Sequence, residues 1–307
     1  MVGQMSWTSR DLPSLAGRSV VVTGGNSGIG RHTAAALGRA GATVTLGCRD
    51  VAAGAAAAAA LAAAGAGEVR AARLDLADLT SVKDFADAWT GPLDVLVNNA
   101  GVMAPPRYRE TSDGFELQLG TNHLGHFALT GRLLPRLLEA DRPRVTTVSS
   151  LAHFRGRRSV LEGSPRQGYR PERGYSDSKL ANLLFAFELQ RRAARNGSDL
   201  VSNAAHPGTS ATNLFTSKQG LGSIPGVRVA APLILKLVLQ SAAVGAEPTL
   251  YAVAEGGPAS YTGPQRLGES RGPVGAARVN PLALEEELAQ QLWDLSVEWT
   301  GVDFAWR

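Results

Sequence analysis

The stretch Ser19-Val20-Val21-Val22-Thr23-Gly24-Gly25-Asn26-Ser27-Gly28-Ile29-Gly30 decides the fold. Its first five residues are a β-branched run of the length of a buried strand, and the run stops abruptly in glycine. Arg31-His32-Thr33-Ala34-Ala35-Ala36-Leu37 then reads as a helix. Strand, glycine loop and helix in that order let a backbone come close to a pyrophosphate. The helix N-terminus adds unpaired N–H groups and a partial positive charge. Gly24, Asn26, Ser27, Gly28, Ile29 and Gly30 are therefore candidate dinucleotide-binding residues, spaced as TGxxxGxG and not as GxGxxG. A glycine-rich turn without a ligand is the competing reading, and the flanking strand and helix weigh against it.

Working outward, Val44 to Cys48 reads as a second strand that ends at Arg49. An acid at such a strand end would bind the adenine-ribose diol of NAD, whereas a guanidinium matches a 2′-phosphate. The expectation is NADP(H) in preference to NAD(H), with Arg31 as a second phosphate contact and a solvated position as the alternative for both arginines. Ala52 to Ala64 is a crossover helix and Glu68 to Leu74 a third strand. Asp75, with Leu76 beside it, stands where a carboxylate meets an adenine amino group, or where it would cap the helix after Asp78-Leu79-Thr80. Leu93 to Val97 is a fourth strand closing in Asn98-Asn99-Ala100-Gly101, whose amides are suited to fixing the backbone of the bordering loop.

Thr111 to Glu139 is a long helical pattern containing Asn122-His123-Leu124-Gly125. Asparagine and glycine are poor helix formers, so something besides helicity selects or permits them. Arg144 to Val148 makes a fifth strand and delivers Ser149 and Ser150 at its carboxyl end. Asp199 to Ala204 makes a sixth, followed by the turn Ala205-His206-Pro207-Gly208-Thr209. Ala242 to Ala254 is helical, Ala259 to Tyr261 a short strand, and Pro281 to Trp299 a terminal helix packed through Leu284, Leu288, Leu292 and Trp293. Segment 213–241 reads either as a lid over a lipophilic substrate or as a helix packed permanently on the body. Regular alternation of strands and helices predicts an α/β fold: a doubly wound parallel sheet of about seven strands with helices on both faces. No repeat or linker divides the chain, which reads as a single domain over 1–307.

One further stretch carries chemistry. Tyr175-Ser176-Asp177-Ser178-Lys179 opens an apolar helical pattern, and residues four apart share a helix face. A cation beside a phenol favours the phenolate, each unit of lowered pKa corresponding to about 1.4 kcal/mol. The plainer reading of the pentapeptide alone is an amphipathic helix that carries the pair by chance.

Composition excludes other classes. Hydrophobic residues make 44% and charged residues 19% of the 307, as in a soluble globular protein. Only four of the 31 basic residues are lysines, and the Arg155, Arg157, Arg158, Arg166, Arg170 and Arg173 cluster lacks aromatic interleaving. It reads as a solvated loop and not as a nucleic-acid surface. Cys48 is the single cysteine, and His123 and His126 lack a third ligand, so no metal site is expected. Met1 to Arg18 has no apolar signal core, and Val229 to Leu239, broken by Pro232 and Lys236, is too short to span a bilayer. The expectation is a cytoplasmic protein without a membrane anchor.

Thr23-Gly24-x-x-x-Gly28-Ile29-Gly30, Asn98-Asn99-Ala100-Gly101, Asn122, Ser150, Tyr175-x-x-x-Lys179 and Pro207-Gly208, in that order, resemble the short-chain dehydrogenase/reductase superfamily over about Ser19 to Gly208. Gly24 to Gly30, Cys48-Arg49-Asp50, Ser149 to His153 and Tyr175 to Asn182 are most similar to its branch of retinol dehydrogenases, WW-domain oxidoreductases and protochlorophyllide reductases. The resemblance implies a Rossmann fold and a carbonyl or alcohol substrate. Tyr175 would be the general acid and base, Ser150 the group orienting the carbonyl oxygen, and Lys179 the ribose ligand that also lowers the Tyr175 pKa. Asn122 would hold a water leading to solvent. Asn98, Ala100 and Gly101 would line the cofactor with Pro207, Gly208 and Thr209, Thr212 competing with Thr209 for the carboxamide. A monomer or homodimer is implied. Reduction of a carbon–carbon double bond, or dinucleotide sensing without catalysis, are the alternative activities.

Overall fold

Along the first strand, Val20 and Val22 point to one face of the sheet and Val21 to the other, and all three are wholly buried. Such a strand needs cover on both faces, which is the condition of a parallel sheet flanked by helices. The computed structural model describes residues 7–209 and 241–306. The elements are β1 (Ser19–Thr23), α1 (Gly28–Arg39), β2 (Thr43–Cys48), α2 (Val51–Ala63), β3 (Val69–Arg73), α3 (Leu79–Asp87), β4 (Val95–Asn98), α4 (Gly125–Leu138), β5 (Arg144–Val148), α5 (Pro171–Arg195), β6 (Val201–Ala205), α6 (Ala242–Ala254), β7 (Tyr261–Arg266), β8 (Arg271–Ala276) and α7 (Glu286–Thr300).

The strands form one eight-stranded sheet in the order β3-β2-β1-β4-β5-β6-β7-β8. Every pairing is parallel except β7 with β8. Val20 and Val22 pack with Ala34 and Leu37 of α1, Leu61 of α2 and Leu250 of α6. Val21 packs on the opposite side with Phe85 of α3, Leu134 of α4, Phe185 of α5 and Trp293 of α7. There Phe127 is fully buried, with ring centroids 5.7 Å from Phe185 and 5.0 Å from both Trp293 and Phe304. Chain order reverses direction between β1 and β4, so a crevice opens at the carboxyl ends of these two strands.

The sheet exceeds the expected seven strands by β8. Its sequence, Arg271-Gly272-Pro273-Val274-Gly275-Ala276, is poor in strand formers and becomes extended by pairing antiparallel with β7. Of the strand expected at 259–261 only Tyr261 lies in β7. The helix expected from Thr111 starts at Leu117 and passes through a π-helical turn, Gly120–Leu124, before α4. Gly125 explains part of that irregular sequence. A Cβ there would lie 2.3 Å from the Leu76 carbonyl oxygen, so only glycine lets α4 press against the loop after β3. The 155–174 segment is not wholly loop, since Arg158–Glu162 forms a 3-10 turn and α5 begins at Pro171. The expected lid at 213–241 lies, except for Ser241, outside the described residues, as do Thr212 and the start of the N-terminal tail.

Candidate active site

The floor of the crevice is built on Thr23, the last residue of β1. Its Oγ1 accepts hydrogen bonds from the backbone N–H groups of Asn99 and Ala100, both at 2.9 Å. Asn99 returns the contact by donating its side-chain amide to the Thr23 carbonyl at 2.7 Å. The ends of β1 and β4 are thereby sewn together. Gly24 turns the chain at φ +63°. A Cβ on Gly30 would lie 2.6 Å from the Gly24 carbonyl oxygen, so helix and loop touch backbone to backbone. Ser27, the N-cap of α1, makes no side-chain capping bond. This cradle and the open first turn of α1 fit a pyrophosphate, in keeping with the dinucleotide expected for Gly24, Asn26, Ser27, Gly28, Ile29 and Gly30.

Arg49 stands exposed just beyond β2, whose Gly47 carbonyl accepts the Gly24 N–H at 2.7 Å. Asp50, the acid beside it, is the N-cap of α2 and accepts from the Ala53 N–H at 2.9 Å. Arg31 is exposed on the first turn of α1. Asp75 does not cap α3. That place belongs to Asp78, which accepts from the Thr80 and Ser81 N–H groups at 3.0 and 3.3 Å. Asp75 instead accepts from the Ala77 N–H at 3.0 Å, with Leu76 buried beside it. Asn98 is buried and donates to Thr130 Oγ1 at 3.1 Å, so its side chain points into the protein.

The two serines after β5 divide their tasks. Ser149 is buried and donates to the Lys179 carbonyl at 2.8 Å, fastening α5 to the strand end. Ser150 Oγ accepts from the Ala152 N–H at 3.2 Å, so its own hydroxyl hydrogen is left to donate. Pro171 at the first turn of α5, with its φ fixed and no N–H to orphan, starts the helix that presents Tyr175 and Lys179 on one face. Lys179 Nζ lies 5.8 Å from the centre of the Tyr175 ring and donates to the Val148 carbonyl at 3.2 Å. Burial pulls its pKa down to about 8. Burial pushes the Tyr175 phenol above its ordinary value, and the Ser150 hydroxyl acts in the opposite direction. Tyr175 keeps part of its surface open to solvent, which moderates that push. In the cofactor-free protein burial sets the direction of the Tyr175 shift, while the Lys179 ammonium donates to the Val148 carbonyl.

Asn122 is wholly buried. Its side-chain oxygen accepts from the Val102 N–H at 2.8 Å, and its amide donates to the Val102 carbonyl at 3.0 Å and to Ser178 Oγ at 2.9 Å. A Cβ on Gly101 would lie 3.1 Å from Asn122 Oδ1 and 3.5 Å from Lys179 Nζ, so these three positions converge. Ser178 donates in turn to the Tyr175 carbonyl at 2.8 Å.

Behind the turn at Pro207, the hairpin of β7 and β8 acts as a clamp. The Ser270 carbonyl accepts from the Thr209 N–H at 3.0 Å and from the Thr209 hydroxyl at 3.2 Å. His206 Nδ1 accepts from the Gly208 N–H at 3.2 Å, while Glu269 Oε2 lies 3.4 Å from His206 Nε2. Thr209 thus has its hydroxyl committed within the protein. Among the described residues, no group of three or more His, Cys, Asp or Glu is placed to hold a metal ion, and no helix is long and apolar enough to cross a membrane.

Thr23, Asn99 and Ser178 escaped the sequence reading as site residues, although each stands beside a motif position. Thr23 carried a signal, being the polar end of an otherwise apolar strand. The clamp had none, because Glu269 and Ser270 lie about sixty residues from the turn they hold.

Comparison with known proteins adds to this geometry. The sequence model of the short chain dehydrogenase family matches residues 18–220. Retinol dehydrogenase 13 of Homo sapiens is 37% identical over 297 residues, covering 94% of this chain and 86% of the relative. An uncharacterised protein from Mycobacterium Paratuberculosis, known from its crystal structure, superposes with a TM-score of 0.82 at 44% identity, covering 98% of this chain and 99% of the other. The Pseudomonas aeruginosa RhlG/NADP active-site complex superposes with a TM-score of 0.59 at 25% identity, covering 78% of this chain and 90% of that one.

Proposed function

The chain belongs to the short-chain dehydrogenase family, and from that premise we propose that it is an NADP(H)-dependent oxidoreductase interconverting a ketone or aldehyde with an alcohol on a small, lipophilic substrate. The observation that carries the reading is the convergence of a donor hydroxyl on Ser150, a phenol on Tyr175 and an ammonium on Lys179 at the crevice where the glycine loop opens. Similarity to a retinol dehydrogenase supports the lipophilic substrate, and the RhlG/NADP complex supports the cofactor. Arg49 in place of an acid, with Asp50 occupied as a helix cap, favours the 2′-phosphate.

The nicotinamide dinucleotide would supply or accept the hydride when bound. Ser150, whose hydroxyl faces the Tyr175 phenol, turns its hydrogen to the carbonyl oxygen, orients it and stabilises the negative charge that grows on it. Tyr175 gives that oxygen its proton, and takes a proton from the alcohol in the reverse direction. Lys179, charged at neutral pH and with the Val148 carbonyl as its one hydrogen-bond acceptor among the described residues, has donor capacity left for the nicotinamide ribose. Asn122 fixes the Val102 backbone and the start of the Tyr175 turn through Ser178, and an oxygen lone pair left on it serves to hold a water near Lys179.

The test is Tyr175→Phe. Turnover should fall by about three orders of magnitude, the middle of the range for general acid–base catalysis, with NADPH binding nearly unchanged. Retained turnover refutes the mechanism. Product analysis with deuterated cofactor separates carbonyl reduction from reduction of a carbon–carbon double bond. The proposal includes a cytoplasmic monomer or homodimer, checked by fractionation and light scattering.

A further inference from the structure

His126 lies one helical turn beyond Asn122, is 1% exposed, and bridges two parts of the site that the preceding chemistry treats separately. Its Nδ1 is 2.9 Å from the Asn122 carbonyl oxygen and its Nε2 is 2.8 Å from Thr23 Oγ1. A carbonyl has no hydrogen to give, so Nδ1 carries the proton and donates. In the neutral ring Nε2 is then an acceptor and takes the Thr23 hydroxyl hydrogen. That assignment leaves the Thr23 oxygen free to accept the two N–H bonds from Asn99 and Ala100. The only other acceptor within reach of the hydroxyl among the described residues, the Val97 carbonyl, is farther away at 3.3 Å.

The arrangement requires a neutral ring. Burial pulls the His126 pKa down to about 4, with Lys179 adding to the effect and the Asn122 carbonyl opposing it. A cationic ring would point a second N–H at an oxygen that already accepts twice. Thr23, Asn122, Asn98 and Thr130 around it are all wholly buried, so no solvent substitutes for a lost partner. Thr130 closes a second arm, donating to the His126 carbonyl at 2.7 Å and accepting from Asn98 at 3.1 Å. Asn122 stands in the π-helical turn Gly120–Leu124, a widening that often accompanies functional sites.

We infer that His126 is a positioning residue: through its two ring nitrogens it holds the Asn122 turn and the Thr23 junction of the glycine loop in one register, so that the proton-handling and dinucleotide-holding ends of the site are set together. The inference rests on the proposed oxidoreductase reading for the role of Asn122, and on hydrogen bonds alone for the link itself.

The experiment compares His126→Phe, His126→Gln and Thr23→Val with the wild type, measuring kcat, KM for NADPH, the NADPH Kd by fluorescence quenching, and the thermal midpoint. Phenylalanine fills the space without either hydrogen bond; kcat should fall about 10- to 100-fold, as for displaced catalytic groups, in a protein that still melts cooperatively. Its NADPH Kd should rise about fivefold, the equivalent of one lost hydrogen bond. Glutamine carries one donor and one acceptor at its tip and should recover part of both losses. Thr23→Val and His126→Phe should combine to clearly less than the product of their single effects, because the Thr23–His126 bond is broken in both, while Thr23→Val also loses the Asn99 and Ala100 bonds and His126→Phe the Asn122 bond. The inference is overturned if His126→Phe leaves kcat and Kd within about twofold of wild type, if Gln recovers nothing, or if the two losses multiply. Should His126→Phe fail to fold, the Gln variant and Thr23→Val carry the same comparison. A wild type that turns over no carbonyl substrate would sink the oxidoreductase reading, and the Kd series would still decide the link.

Discussion

Replacing Lys179 with methionine should stabilise the ligand-free protein while destroying its activity. The side chain is 4% exposed, and burial alone pulls its pKa from 10.5 to about 8. Between these values the unfolded chain binds a proton that the folded chain does not, so folding stability rises with pH across that window. Below pH 8 the ammonium is charged in both states and its desolvation costs the fold about 3 kcal/mol. Methionine removes that cost and forfeits one hydrogen bond to the Val148 carbonyl, about 1 kcal/mol. Asn182 continues to donate to the same carbonyl at 3.0 Å, so no buried acceptor is orphaned. The net expectation is a gain of about 2 kcal/mol at pH 7, or roughly 5 °C in the thermal midpoint. The assay is urea unfolding of both proteins without cofactor at pH 7 and pH 10. The methionine variant should lead at pH 7, and the gap should shrink or reverse towards pH 10 as wild type recovers its deficit. A variant less stable than wild type at pH 7, or a gap that does not change with pH, would refute the reasoning. A group buried at a cost in stability is a signature of function, and no salt bridge to Lys179 is found among the described residues.

Arg49→Ala should weaken NADPH binding about tenfold or more, the scale of a charge-assisted hydrogen bond, and leave NADH within about twofold; equal effects on both cofactors would remove the 2′-phosphate role. Gly125→Ala sets a methyl against the Leu76 carbonyl at 2.3 Å, so α4 and the loop must part. A loss of about 1–3 kcal/mol by chemical denaturation is expected, and an unchanged midpoint would mean the helix yields freely. Phe127→Ala empties the centre of the ring cluster with Phe185, Trp293 and Phe304 and should cost about 3–5 kcal/mol, read in the same way.

What the sequence made legible was what local chemistry dictates. Ser19 to Gly30 announces a strand, a loop and a helix because β-branched residues, glycines and alanines each restrict the chain where they stand. Arg144–Val148 and Ala242–Ala254 emerge with the boundaries their composition marks. The β8 strand was invisible because Gly272, Pro273 and Gly275 have no extended preference, and pairing with β7 supplies it. Among site positions, Asn122 and Gly125 were visible as oddities in a helix without their reasons. The reasons are long-range: Val102 and Ser178 around the asparagine amide, and Leu76 against the glycine. His126 gave a faint cue as a histidine one turn after a mid-helix asparagine, but its partner Thr23 lies 103 residues away. The direction of the Tyr175 shift was not legible either, since the pentapeptide records a neighbouring cation and not how deeply both groups are buried.

The most direct test of the account is hydride tracing. Wild type and Tyr175→Phe would be incubated with NADPH deuterated at the transferring position and a panel of ketones and aldehydes that includes all-trans-retinal, and the products read by mass spectrometry. The account predicts deuterium on the carbinol carbon of at least one product with wild type and almost none with Tyr175→Phe, although both bind NADPH. Deuterium at a former double bond, none at all with wild type, or equal incorporation by the two proteins would contradict it.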